Sequence, residues 1–164
     1  MFAYLSGLTS GETKMAMITV AQALDFMQKL EETLAKQYAD ISGHSRVQVI
    51  RQVATCLANH YSYLAKALTR LPKEQYEGIK NATIPFGPQL CDLESLLTQF
   101  EPDTNSVESL IDTALSLNRH IAQLYRQVTN QDVSEDIKDL FENLAKFEEI
   151  DEHELTKIKA LSTY

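Results

Sequence analysis

Along most of the chain, apolar positions recur at alternating intervals of four and three, the spacing that stacks them on one face of an α-helix. The first such run begins after Thr19, an N-cap type residue with Gln22 three positions on, and stops near Ser42-Gly43. Its seam is Val20, Leu24, Met27, Glu31, Leu34, Tyr38 and Ile41. A second run, from about Ser45 to Leu71 with Pro72 ending it, has the seam Ile50, Val53, Leu57, His60, Leu64, Ala67 and Leu71. The third opens at Asn105-Ser106-Val107-Glu108, a sequence with the form of a capping box, and runs to about Asn130. Val107, Ile111, Ala114, Asn118, Ile121, Tyr125 and Val128 make its seam. The fourth starts behind Ser134 and continues nearly to the C-terminus through Ile137, Phe141, Leu144, Glu148, Asp151, Leu155 and Ile158.

Four seams of similar length predict an all-α fold, a four-helix bundle in one domain spanning residues 1–164. The links between the first and second runs and between the third and fourth are a few residues each, which makes each pair an antiparallel hairpin. The stretch between the hairpins, about 72–104, carries all four prolines (72, 85, 88 and 102). A short helix is expected there over Gln89–Phe100. A connection this long can travel the length of a bundle, so one long crossover is expected in place of simple up-down-up-down order.

Composition agrees with a helical chain: five Gly, four Pro and no Trp in 164 residues. Fifteen Lys and Arg stand against 23 Asp and Glu, a net charge of −8, and no basic run is present. That balance argues against nucleic acid and against an anionic membrane surface as partners. Cys56 and Cys91 fit neither a CxxC motif nor a Cys/His zinc spacing, and are read as reduced thiols of a cytoplasmic protein. The N-terminal MFAYLSGLTSGETK lacks the basic region and apolar core of a signal peptide. No P-loop, GxGxxG or Ser/His/Asp arrangement supports a nucleotide-binding or hydrolase reading.

The candidate chemistry lies where the seams turn polar. Glu31, His60, Asn118, Glu148 and Asp151 occupy inward-facing positions near the middle of the four runs. A buried carboxylate costs several kcal/mol unless it is paired, hydrogen-bonded or bound to a metal. Carboxylates and an imidazole on facing core positions are what a bundle uses to hold a metal ion. The hairpins also repeat one another. Leu30-Glu31, Leu34-Ala35, Tyr38 and Ile41 match Leu117-Asn118, Ile121-Ala122, Tyr125 and Val128 in spacing. Ala54, Leu57, His60 and Leu64 match Ala145, Glu148, Asp151 and Leu155.

This pattern resembles the ferritin-like superfamily, and within it the rubrerythrin-type bundle. That family draws one Glu from each of the first and third helices and a Glu-x-x-His pair from each of the second and fourth. The resemblance spans the four helical runs, and Tyr38 and Tyr125 match a Tyr common seven residues after the single Glu. It implies metal ligation by Glu31, His60 and Glu148, with Asp151 in the place of the second His. It also implies a defect: Leu57 replaces one bridging Glu, and Asn118 replaces the third-helix Glu. What remains suits one Fe, Mn or Zn ion, or none, and redox or oxygen-related chemistry. The paired CxxC motifs of a rubredoxin-like domain are lacking. A homodimer is the expected assembly, as bundles of this type commonly self-associate.

Two alternatives stay open beside the metal reading. One is a metal-free network in which His60 as imidazolium, Asn118 and the tyrosines satisfy the carboxylates, within a non-catalytic binding or assembly module. The other is a π-bulge in the fourth helix that exchanges His153 for Asp151. His120 and His153 otherwise read as solvated, and His44 as a helix cap. The acidic run from Glu148 to Glu154 reads as a solvated face apart from its two seam members, and of Tyr61 and Tyr63 at least one is expected to be partly exposed.

Overall fold

The structure is a computed structural model and describes residues 16–86 and 93–162, apart from the side chains of Ala16 and Asp151. These residues are mostly helical, as the sequence predicts, with six helices and two short strands. Strand β1 (Ala16–Thr19) leads into α1 (Val20–His44), and after three residues the chain returns as α2 (Gln48–Leu68). Then come α3 (Lys73–Ile79), β2 (Thr83–Phe86) and α4 (Leu93–Gln99), followed by the long helices α5 (Val107–Thr129) and α6 (Glu135–Ser162). The broadest helix–helix contacts are α1 on α2 and α5 on α6, and α2 also packs on α5. No described helix is long and apolar enough to cross a membrane.

The start of α1 shows why it begins where it does. Thr19 Oγ1 accepts from the Gln22 N–H at 3.1 Å, and the Gln22 side chain accepts from the Thr19 N–H at 2.9 Å. The next two amides, Val20 and Ala21, donate to the carbonyls of Ala82 and Lys80. Every donor of the first turn thus has a partner. Thr19→Ala should lower stability by about 1 kcal/mol in urea unfolding. An unchanged midpoint would mean that the carbonyls of residues 80 and 82 hold the helix start alone. At the other end, His44 Nδ1 lies 2.7 Å from the Asp40 carbonyl, the capping role read for it.

The capping box anticipated before α5 forms only in half. Ser106 is the N-cap and accepts from the Ser109 N–H. The reciprocal acceptor is missing because the position that needs it is Ser109, whose hydroxyl instead takes the Asp103 N–H.

The segment between the long helix pairs holds the expected short helix as α4, but also α3 and β2, which the apolar spacing did not announce. β2 pairs antiparallel with β1, Thr19 opposite Thr83 and Ala16 opposite Phe86. Ile84 and Phe86 point inward from this ribbon, and Phe86 meets Phe141 of α6 edge to face at 6.2 Å. Ile79 and Leu96 are buried as well, so this segment contributes side chains to the core. Cys91 lies outside the described residues; Cys56 is an exposed free thiol.

Candidate functional site

The polar positions of the seams divide into two groups. Glu31 of α1 and Glu148 of α6 are 0% and 3% exposed, and both lie at the inner end of one cavity. Tyr125 of α5 is buried beside them. Burial first, and then the negative charges of Glu148 and Glu31, hold its phenol well above the ordinary 10.0, so it stays neutral. Leu117, Ile121 and Val128 carry this stripe of α5 into the core, and Phe141 packs on the Tyr125 ring at 5.9 Å.

The cavity measures about 230 Å³. Leu64, Leu68, Leu71, Leu140, Leu144 and Phe147 wall it, so hydrocarbon dominates the space above the carboxylates. Exposed Pro72 and Asn143 lie at its outer side, where α2 gives way to α3. Tyr63, 57% exposed, leans its ring on Phe147 at 5.8 Å, which leaves Tyr61 as the buried member of that pair of tyrosines.

The second group is uncharged. Asn118 Nδ2 lies 3.3 Å from His60 Nε2, and the Tyr61 hydroxyl donates to Asn118 Oδ1 at 3.4 Å. The tyrosine contact orients the amide, since an Oδ1 that accepts from Tyr61 leaves Nδ2 to donate to the imidazole. His60 then accepts at Nε2, and burial lowers its pKa to about 4. Burial thus favours the neutral imidazole over the imidazolium that a metal-free ion network would need. Tyr38 completes the group by stacking on Tyr61 at 5.5 Å. Its phenol, like that of Tyr125, is pushed up by burial.

Of the residues expected to ligate a metal, Glu31 and Glu148 share one space, while His60 is held by Asn118. Among the described residues, no three His, Cys, Asp or Glu form a group that could hold a metal ion. Asp151 belongs to α6, but its side chain is outside the described set. α6 is continuous α-helix without a π-turn, and His153 is exposed, so the exchange of His153 for Asp151 does not occur.

His120 departs from its reading as a solvated residue. It is half-buried against Phe100 of the segment preceding α5, with ring centroids 5.4 Å apart, and burial lowers its pKa. The acidic face of α6 is tied to α5 by Arg119–Glu152 and Arg126–Glu149, and Lys159 of α6 pairs with Asp112 of α5. Such exposed pairs contribute between about 0 and 1 kcal/mol each.

The sequence pointed to the two carboxylates through their seam positions but gave no sign of the cavity. A void depends on how side chains fail to fill space, which periodicity does not record. Compared with family models, curated proteins and solved structures, the chain matches none.

Proposed function

We propose that this chain is a binding protein on a ferritin-like four-helix frame with one long crossover, its partly dismantled metal layer now the polar end of a small-molecule cavity. The observation that carries this reading is the meeting of Glu31, Glu148 and Tyr125 at the buried end of an apolar space. Ligand sites are concave and mostly apolar, with a few polar groups that fix orientation. A two-iron centre does not fit these residues. Leu57 is buried and apolar, Asn118 is neutral, and His60 Nε2 is engaged by Asn118.

The test is thermal unfolding with a panel of small apolar alcohols, acids and amines. A ligand at a hundred times its Kd should raise the Tm by roughly 5–10 °C in a chain of this size. Leu144→Trp, which fills the cavity, should keep the helical signal and abolish the rise. If no compound shifts the Tm, or Leu144→Trp responds like the parent, the cavity is not a ligand site.

A second reading is favoured by the origin of the two carboxylates on different long helices. Glu31 and Glu148 would then hold a single Fe, Mn or Zn ion, with Asp151 or water at the remaining positions. The ion would supply redox or oxygen-related chemistry. About one equivalent of metal in protein purified without chelator, lost in Glu148→Ala, would favour this reading over the first. Metal content near zero after anaerobic Fe(II) loading would exclude it.

A further inference from the structure

We infer that the groove between α2 and α6 is a docking surface for an amphipathic helix with acidic flanks, supplied by another protein. The inference is independent of what the Glu31–Glu148 cavity holds, and two observations carry it.

The first is the placement of exposed hydrocarbon. Four of the six large apolar side chains left exposed among the described residues are Val49 and Tyr63 on α2 and Ile150 and Leu161 on α6. Counted at 100° per residue, Val49, Cys56 and Tyr63 fall within about 40° of one another, and Ile150 and Leu161 within about 20°. The two rows flank a common groove. Tyr63 leans on Phe147, while Leu71 and Leu140 wall the same cavity, so α2 and α6 run antiparallel. Val49 stands fourteen positions before Tyr63 and Leu161 fourteen after Phe147, which brings these two to the same level. From that level to Tyr63 the strip is about 21 Å long, close to four turns of helix. Single exposed apolar residues need no explanation, but a row of this length along a groove is what an amphipathic helix lays its apolar face into.

The second is charge. From Ile41 to Lys73 the chain has five Lys or Arg and no Asp or Glu, although its net charge is −8. All five cations are exposed, and none enters a salt bridge among the described residues. Lys66 and Arg70 lie one and two turns beyond Tyr63 on the outward face of α2. On the α6 edge, Glu154 is already paired with Lys157 at 2.8 Å. A helix that carries Glu or Asp beside its apolar face therefore meets cations at the rim, where charge steers the encounter and fixes orientation.

The same charges decide against two other occupants. A second copy docked about a two-fold axis through α2 would set these cations against their own counterparts. An anionic bilayer is repelled by the chain's net charge and reaches ridges before it reaches a groove.

The experiment is calorimetric titration of the full chain with two peptides of about 18 residues, each with Leu at i, i+3, i+4 and i+7 spacing and differing only in Glu or Lys beside that face. The Glu peptide is expected to bind at least tenfold more tightly than the Lys peptide, and to lose affinity as salt is raised. Ile150→Asp, at an exposed position, should keep the helical signal and cost the Glu peptide at least tenfold; Tyr63→Ser should do likewise and stands in if the first variant loses helicity. Lys66→Glu combined with Arg70→Glu should reverse the preference between the peptides. Equal binding of the two peptides would overturn the acidic partner, and binding indifferent to Ile150→Asp and Tyr63→Ser would overturn the groove. Binding of neither peptide would overturn the proposal. Concentration-dependent dimerisation abolished by Ile150→Asp would assign the groove to a second copy instead, and flotation with phosphatidylserine vesicles lost in the same variant would assign it to a membrane.

Discussion

Phe141→Ala should be among the most destabilising single substitutions in this chain, with a loss of about 3–5 kcal/mol in chemical unfolding. The residue is fully buried and stands where three parts of the fold meet. Its ring contacts Phe86 on the ribbon at 6.2 Å and Tyr125 on α5 at 5.9 Å, while its backbone belongs to α6. Truncation removes the transfer energy of a large side chain and leaves a void. It also removes two aromatic pairs, each worth about 0.5–1.5 kcal/mol beyond area burial. Domains of ordinary size have about 5–15 kcal/mol in total, so roughly a fifth or more of the stability is at stake. Phe147→Ala, at a half-buried position on the cavity wall, should cost clearly less. A loss under about 1.5 kcal/mol for Phe141→Ala would mean that Phe86 and Tyr125 collapse into the vacated space.

The second large effect concerns pH. His60 is held neutral in the fold, with its pKa lowered to about 4, while an unfolded imidazole titrates near 6.5. Below 6.5 the unfolded chain therefore takes up a proton that the folded chain refuses. Stability falls as the pH drops from 6.5 toward 4, is level above that window, and stops falling from this cause below it. The full swing is on the order of 3 kcal/mol. Geometry gives the same sign: a proton on Nε2 would face the Asn118 amide hydrogens, which the Tyr61 hydroxyl keeps turned toward it. The measurement is urea unfolding at a series of pH values for the parent and for His60→Gln. Carboxylates titrate in part of the same range in both proteins, so the difference curve isolates the imidazole. A difference curve flat between pH 4 and 6.5 would refute the neutral assignment.

Much of the helical frame was readable from apolar spacing, and the reason is visible in α1. Val20, Leu24, Met27, Leu34 and Tyr38 are all buried, and the polar member of their seam, Glu31, is buried with them. Asn118 and Glu148 follow suit on α5 and α6. On α2 the reading slipped. A seam read by alternate steps of three and four puts His60 inward, but those steps scatter around the face centre, and the three-residue step from Leu57 lands well to one side of it. At 100° per residue, Tyr61 falls near the middle of the face that Ile50, Leu57 and Leu64 bury, while His60 falls at its edge and is half-buried. That placement accounts for His60 lying with Asn118 and Tyr61. The ribbon was illegible for another reason. Each strand is four residues long and β2 contains Pro85, which usually speaks against a strand. Proline is tolerated because a two-stranded sheet consists only of edges.

The ribbon bears on how the chain reaches its fold, as well as on what the fold is. Pairing Thr19 with Thr83 ties together two points separated by all of α1, α2 and α3. Closing so long a loop of disordered chain costs roughly 4 kcal/mol of entropy, more than a four-residue ladder returns by itself. The α1–α2 contacts span only a three-residue turn and can form locally, and once they exist the ends to be joined are already near one another. Loop entropy therefore places the ribbon after the first helical pair in time. A ribbon that also forms after the rate-limiting step would act as a catch on unfolding: weakening it should raise the unfolding rate and leave the folding rate unchanged in stopped-flow measurements.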